Sequence, residues 1–213
     1  AGLDPRGVVI GSKSFVEGTD EISCGITNFH KGCVEKIITP KPGQKIGIGD
    51  VEIHALAAKH SDPTALGFKL FTHDFVLSYS GDTGYDKEIV DQYAQSDILI
   101  LNVPFESKKS DNNLNIEDVI KIIKHVQPKL VILTHFGVKM LKEDPLFLAR
   151  DIHTQTGVQT IAAKDGMILT PQSYSAGLKT KTLNLYNSKS VSSPESSQGQ
   201  EPASQDKSDL PYL

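Results

Sequence analysis

Apolar residues along this chain fall into two kinds of run. Short, β-branched runs bounded by turn residues read as strands: Val8–Ile10, Val34–Ile38, Val51–Ala58, Gly67–Phe71 and Phe75–Tyr79 in the first half. Ile98–Asn102, Leu130–Thr134, Val158–Ala162 and Met167–Leu169 follow in the second. His73-Asp74 forms the turn that joins Gly67–Phe71 to Phe75–Tyr79 as a hairpin. The other kind has helical spacing. Ile116, Val119, Ile120, Ile123 and Val126 fall on one stripe, with Asn115 placed to cap it and Pro128 to stop it. A second helix is predicted from the cap at Asp144, with Pro145 in the first turn, to about Thr156, where Gly157 closes it. A shorter helix spans Asp86 to Ala94. The late order strand, helix, strand, helix, strand predicts an α/β body, and the early hairpins add antiparallel strands to a mixed sheet.

Composition narrows the picture. The chain has 213 residues, 38% of them hydrophobic, enough for one domain with its own core. That domain is expected over residues 1–175. Residues 176–213 are expected to be a disordered tail. From Asn187 onward the tail has eight serines in 27 residues, too little apolar surface to offset its ordering entropy. A net charge of −4 gives no general attraction to nucleic acid, although a local basic groove leaves that partner open. No apolar run approaches the ~18 residues of a membrane span. Two cysteines, Cys24 and Cys33, make no disulfide framework, and with His30 between them they match no common zinc spacing. They read as free thiols of a cytoplasmic protein.

Three polar residues stand just beyond apolar strands, where α/β proteins collect reactive groups. His60 lies beyond Val51–Ala58 in AAKHSDP. Asp82 sits in the turn SGDTGY, where Gly81 and Gly84 let the backbone fold sharply. His135 follows LVILT and precedes Phe136-Gly137. Each alone reads equally well as a structural residue or a turn-former. Together, two imidazoles and a carboxylate on three strand ends form a mixed N/O set that suits Zn, Fe or Mn. Asp82-Thr83-Gly84 also matches the core of an aspartic protease site, but the flanking residues do not. The same turn resembles the magnesium-binding turn of haloacid dehalogenases, which need an Asp-x-Asp motif this chain lacks. His54, His73, His125 and His153 read as structural or exposed.

AAKHSDP, SGDTG and LTHFG, in this order, resemble the later motifs of the metallo-β-lactamase superfamily. QKIGIGDVEIHAL and TGVQTIAAKDGMIL resemble its flanking strands, so the likeness covers about residues 5–172. The resemblance implies a partial four-layer αββα sandwich. It implies a centre of one or two zinc ions, in which His60 binds the first metal, Asp82 bridges, and His135 binds the second. The reaction implied is hydrolysis of a small ester or phosphodiester. Thr83 and Thr134 are the candidates to orient the imidazoles. One departure is large: the family's His-x-His-x-Asp-His cluster is absent, and no His-x-His occurs anywhere in the chain. The expectation is therefore an N-terminally truncated or split protein. The alternative is a non-catalytic member that serves as a binding or structural partner. The partners expected are a small-molecule or phosphodiester substrate and, at an exposed sheet edge, a second copy or the missing N-terminal half.

Overall fold

The structure, a computed structural model, describes residues 4–170. The expected tail, 176–213, lies outside the described residues. Seven strands form one mixed sheet in sequential order: β3 (Lys45–Ile48), β4 (Val51–Ala57), β5 (Leu66–Phe71), β6 (Val76–Tyr79), β7 (Ile98–Asn102), β8 (Leu130–Thr134) and β9 (Gln159–Ala162). Pairing is antiparallel from β3 to β6 and parallel from β6 to β9. The change follows from the connections. A turn at His73-Asp74 suffices between β5 and β6, closed by the Thr72 amide on the Phe75 carbonyl at 3.1 Å. The parallel strands are joined through the helices α3 (Lys87–Asp91), α4 (Ile116–Val126) and α6 (Pro145–Thr156). A separate pair, β1 (Val8–Ile10) with β2 (Lys36–Ile38), runs parallel.

The two long helices form where the sequence places them. Asn115 accepts from the Asp118 amide at 3.1 Å, and Gln127 ends α4 in the left-handed conformation. Asp144 accepts from the Leu146 amide, Pro145 opens α6, and Gly157 closes it at φ 72. Their apolar stripes cover one face of the sheet. Leu99 and Leu101 of β7, Val131 and Leu133 of β8 and Ala162 of β9 project to that face and pack on Val119, Ile122 and Ile123 of α4 and on Ala149 and Ile152 of α6. The side chains of the opposite face, among them Ile53, Leu70, Leu77, Ile100 and Ile132, are half-buried. Ile10 of the β1–β2 pair lines a shared groove there with Ile53, Phe68, Leu70 and Tyr79.

Several elements differ from the expectation. Met167–Leu169 is not a strand. The last ladder bond runs from the Ala163 amide to the Leu133 carbonyl, the chain then turns at Gly166 (φ 77), and Ile168 is 91% exposed. β3 is an additional edge strand, its apolar pattern diluted to Ile46 and Ile48 around Gly47. α1 (Lys13–Glu17), α2 (Asn28–Gly32) and α5 (Val138–Lys142) are five-residue helices too short to show periodicity; Ser12 and Thr27 cap the first two. The helix expected over Asp86–Ala94 shortens to Lys87–Asp91, with Asp86 as its cap. No helix among the described residues is long and apolar enough to cross a membrane.

Candidate functional site

Asp82 is presented by a turn that only glycine permits on either side. Gly81 adopts φ 60, and a Cβ there would overlap the Leu66 carbonyl oxygen; a Cβ on Gly84 would overlap the carbonyl oxygen of Asp111. The carboxylate emerges 37% exposed. Beneath it, the parallel register of β6 and β7 brings Asn102 alongside. The Asn102 amide nitrogen Nδ2 donates to Asp82 Oδ1 at 2.8 Å and to the Tyr79 hydroxyl at 3.1 Å. The Asn102 backbone N–H donates to Ser80 Oγ at 3.1 Å, and the Ser80 N–H to the Ile100 carbonyl. The base of the Asp82 turn is therefore locked to the end of β7. Asn102 is 5% exposed, and its Oδ1 is buried without a partner among the described residues. An unpaired buried oxygen costs about 1–3 kcal/mol. Its retention at the base of a candidate site points to a constraint other than stability.

His135 leaves the end of β8, which pairs with β7 through Asn102 and Thr134. Its Nε2 lies 3.5 Å from Asp82 Oδ1, with the ring 56% exposed. Its backbone is at φ 60, in the left-handed region. That conformation costs a non-glycine residue roughly 1–2 kcal/mol, and such positions cluster at functional sites. Gly137 follows so close to Pro104 that a Cβ would overlap the Pro104 carbonyl oxygen.

His60 lies between β4 and β5, and its Nδ1 accepts from the Asp62 amide at 3.3 Å. Thr83, one of the two threonines singled out by sequence, is 2% exposed and acts on the backbone rather than on an imidazole. Its Oγ1 accepts from the Lys59 amide at 2.9 Å, and the Gly84 amide donates to the Lys59 carbonyl at 2.7 Å. These bonds tie the segment before His60 to the one after Asp82. Thr134 lines the cavity beside His135, and its carbonyl accepts from the Val103 amide. The loop after His60 is pinned from α1: the buried Ser14 hydroxyl bonds Asp62 and Thr64, and the Ser14 amide donates to Thr64 Oγ1 at 3.0 Å. Burial alone raises the Asp62 carboxyl, but the hydrogen bonds from Ser14 and from Thr64, with the charge of His60, outweigh it and hold it below the usual carboxylate range.

Thus Asp82 and His135 stand together, and the backbone bonds bring the His60 segment to the Asp82 turn. Among the described residues, however, no group of three His, Cys, Asp or Glu side chains is close enough to hold a metal ion. The Asp82 carboxylate and the His135 imidazole suit a divalent ion as two of its ligands; the described side chains do not supply a full shell. The five remaining histidines have other partners, Thr27 for His30 among them. His54 meets Glu52, His73 meets Asp74, His125 bonds Asp91 at 2.7 Å, and His153 bonds the Val158 carbonyl at 2.9 Å. Cys24 and Cys33 are free.

Residues 14–136 match the family model described as beta-lactamase superfamily domain. The chain belongs to the beta-lactamase superfamily. An uncharacterized protein of Methanocaldococcus jannaschii is 32% identical over 165 residues, covering 76% of this chain and 61% of that protein. Among solved structures, the metallo-beta-lactamase fold protein YhfI from Bacillus subtilis matches with a TM-score of 0.60 at 18% identity, over 75% of this chain and 63% of that one. A diphosphatase from the PhnP family matches with a TM-score of 0.56 at 13% identity, over 76% of this chain and 58% of that one. The chain therefore spans less than two thirds of the length of each. The superfamily match runs from Ser14, which pins the His60 loop, to Phe136, just beyond His135. Asn102 and Ser14 carried no sequence signal: an Asn at a strand end and a Ser in a five-residue helix reveal themselves only by the partners that tertiary folding brings.

Two outcomes follow for this superfamily member. Ser14→Ala removes bonds that depress the Asp62 pKa, so Asp62 loses stability that is present above its unfolded pKa and vanishes as pH falls through its folded value. Urea unfolding is expected to show a loss of about 1 kcal/mol at pH 7, narrowing below about pH 4. His135→Gly relieves a positive φ at the cost of unfolded-state entropy. Its stability in the same assay stays within about 1 kcal/mol of the parent; a loss well beyond that shows that the ring contributes to the fold.

Proposed function

We propose that this chain carries part of the metal centre of a hydrolase acting on a small ester or phosphodiester, with His60, Asp82 and His135 as ligands. The observation that carries the reading is the placement of Asp82 and His135. Two side chains on separate strand ends lie 3.5 Å apart, one on a turn that requires glycine and the other in a left-handed backbone. Stability selects neither feature; presentation of an oxygen and a nitrogen donor to one point accounts for both. Zinc is the metal the donor set favours, with iron or manganese compatible. When bound, a divalent ion supplies a Lewis acid and a water of lowered pKa.

The chain's own residues have separate tasks. Asn102 holds Oδ1 of Asp82 and thereby fixes the direction in which the carboxylate presents its other oxygen. His135 faces solvent on one side of that carboxylate, ready to meet a ligand entering from the cavity it shares with Thr134, Leu141 and Lys164. Ser14, through Asp62 and Thr64, restrains the loop that bears His60. The phosphodiester half of the substrate class draws support from the PhnP-family diphosphatase among the similar folds. The free thiols Cys24 and Cys33 support a cytoplasmic setting.

The test is elemental analysis of the purified chain beside Asp82→Ala. About one equivalent of zinc, iron or manganese, lost in the variant, supports the reading and leads to a screen with bis(p-nitrophenyl) phosphate and p-nitrophenyl esters. Metal absent from both proteins after equilibration with excess zinc means that these residues are not ligands in this chain, and favours a non-catalytic role.

A further inference from the structure

Beside His135 lies a groove of about 390 Å³ lined by Pro104, Phe105, Lys109, Gly137, Val138 and Lys139. Its two walls are the segments that follow β7 and β8, the same strand ends that carry Asn102 and His135. They are held together by the Gly137 amide donating to the Pro104 carbonyl at 3.2 Å, an approach that the missing side chain of Gly137 makes feasible. Phe105 is anchored in turn by bridging to Asn115, the cap of α4. The groove is thus built on the sheet rather than on a free loop. Its surface is almost wholly apolar, yet Val138 remains 72% exposed. Two cations, Lys109 and Lys139, stand at its rim, and no acidic residue lines it.

Its neighbours differ in that respect. The cavity with Lys59, Lys108 and Lys121 also holds Asp111, Glu117 and Asp118, and Lys108 bonds Asp111 at 2.7 Å. The cavity that contains His135 balances Lys164 with Asp165. Among the described residues, neither Lys109 nor Lys139 has an acidic partner. An apolar trough with uncompensated positive charge at its edge complements a ligand that is apolar along its body and negative at one end.

We propose that this groove holds part of the substrate, and that the substrate is an amphiphilic anion: an ester or phosphodiester whose alkyl or aryl group lies against Phe105 and Val138 while an anionic group meets Lys109 and Lys139. The assignment as a substrate site rests on the hydrolase reading of the adjoining centre. The groove itself is tested without catalysis, by isothermal titration of the full chain with octyl phosphate and butyl phosphate at concentrations where neither self-associates.

Octyl phosphate is expected to bind on the order of tenfold tighter than butyl phosphate, because part of the longer chain is buried. Val138→Glu, and separately the pair Lys109→Glu with Lys139→Glu, are each expected to weaken it by about tenfold or more. All three side chains are exposed, so both variants keep the fold, which circular dichroism checks. Equal affinity for the two phosphates, or octyl phosphate binding unchanged in both variants, overturns the proposal. Metal content separates the two readings. Weakened octyl phosphate binding with metal content unchanged places the effect in the groove. A chain that binds octyl phosphate as expected but takes up no divalent ion keeps the groove and overturns its role in hydrolysis.

Discussion

The parallel pairing of β6, β7 and β8 fixes where every candidate group stands. Leu77, Ile98 and Leu130 lie in one row, and the strands then end at Tyr79, Asn102 and Thr134 on the same edge of the sheet. Because successive side chains alternate faces, a slip of one residue in either pairing would turn the buried row of Leu99, Leu101, Val131 and Leu133 away from the helices. The helix-covered core therefore enforces the register, and the register delivers Asp82, Asn102 and His135 to adjoining strand ends. Burial of leucines at one side of the sheet is in this sense the cause of a polar cluster at its edge.

What that edge presents is not what stability alone would select. His135 has a positive φ, Asn102 buries an oxygen that has no partner among the described residues, and Gly81, Gly84 and Gly137 stand where any side chain would overlap a neighbouring carbonyl. Each of these features costs free energy locally, of the order of 1–3 kcal/mol for a strained or unsatisfied group. The glycines and the strained φ lie within two residues of Asp82 or His135 or at them, and Asn102 is hydrogen-bonded to Asp82, while the core beneath is fully buried. Strain concentrated at one edge of a well-packed sheet is the pattern of a site held in a fixed geometry by its scaffold. The same edge carries the apolar groove, whose walls are the continuations of β7 and β8.

Much of this was legible in the sequence, for identifiable reasons. The helices α4 and α6 declared themselves because stripe, cap and stop all agreed: Asn115 before Ile116, and Pro145 and Gly157 around the second. The strands of the sheet interior showed as dense apolar runs. β3 did not, because an edge strand needs few apolar residues, and α1, α2 and α5 did not, because one and a half turns leave no period to read. Met167–Leu169 looked like a strand but has no neighbour to pair with beyond Ala163. At the candidate site, SGDTG and LTHFG single out Asp82 and His135, the first by the glycines of its turn and the second by its place just beyond an apolar strand; the structure puts the two side chains 3.5 Å apart. The contributions of Asn102 and Ser14 come from contacts across twenty or more residues of sequence, and composition carries no trace of them. The four-layer sandwich expected from resemblance appears, in the described residues, as a helix-covered sheet with the small β1–β2 pair at its other face.

The proposed metal centre draws its donors, His60, Asp82 and His135, from three strand ends. The most direct measurement is a crystal structure of the chain equilibrated with zinc, with anomalous data collected at the zinc edge. The expected result is an anomalous peak within about 2.0–2.3 Å of Asp82 and of at least one of His60 and His135. A peak bound elsewhere, or no peak beside these three side chains, overturns the proposal.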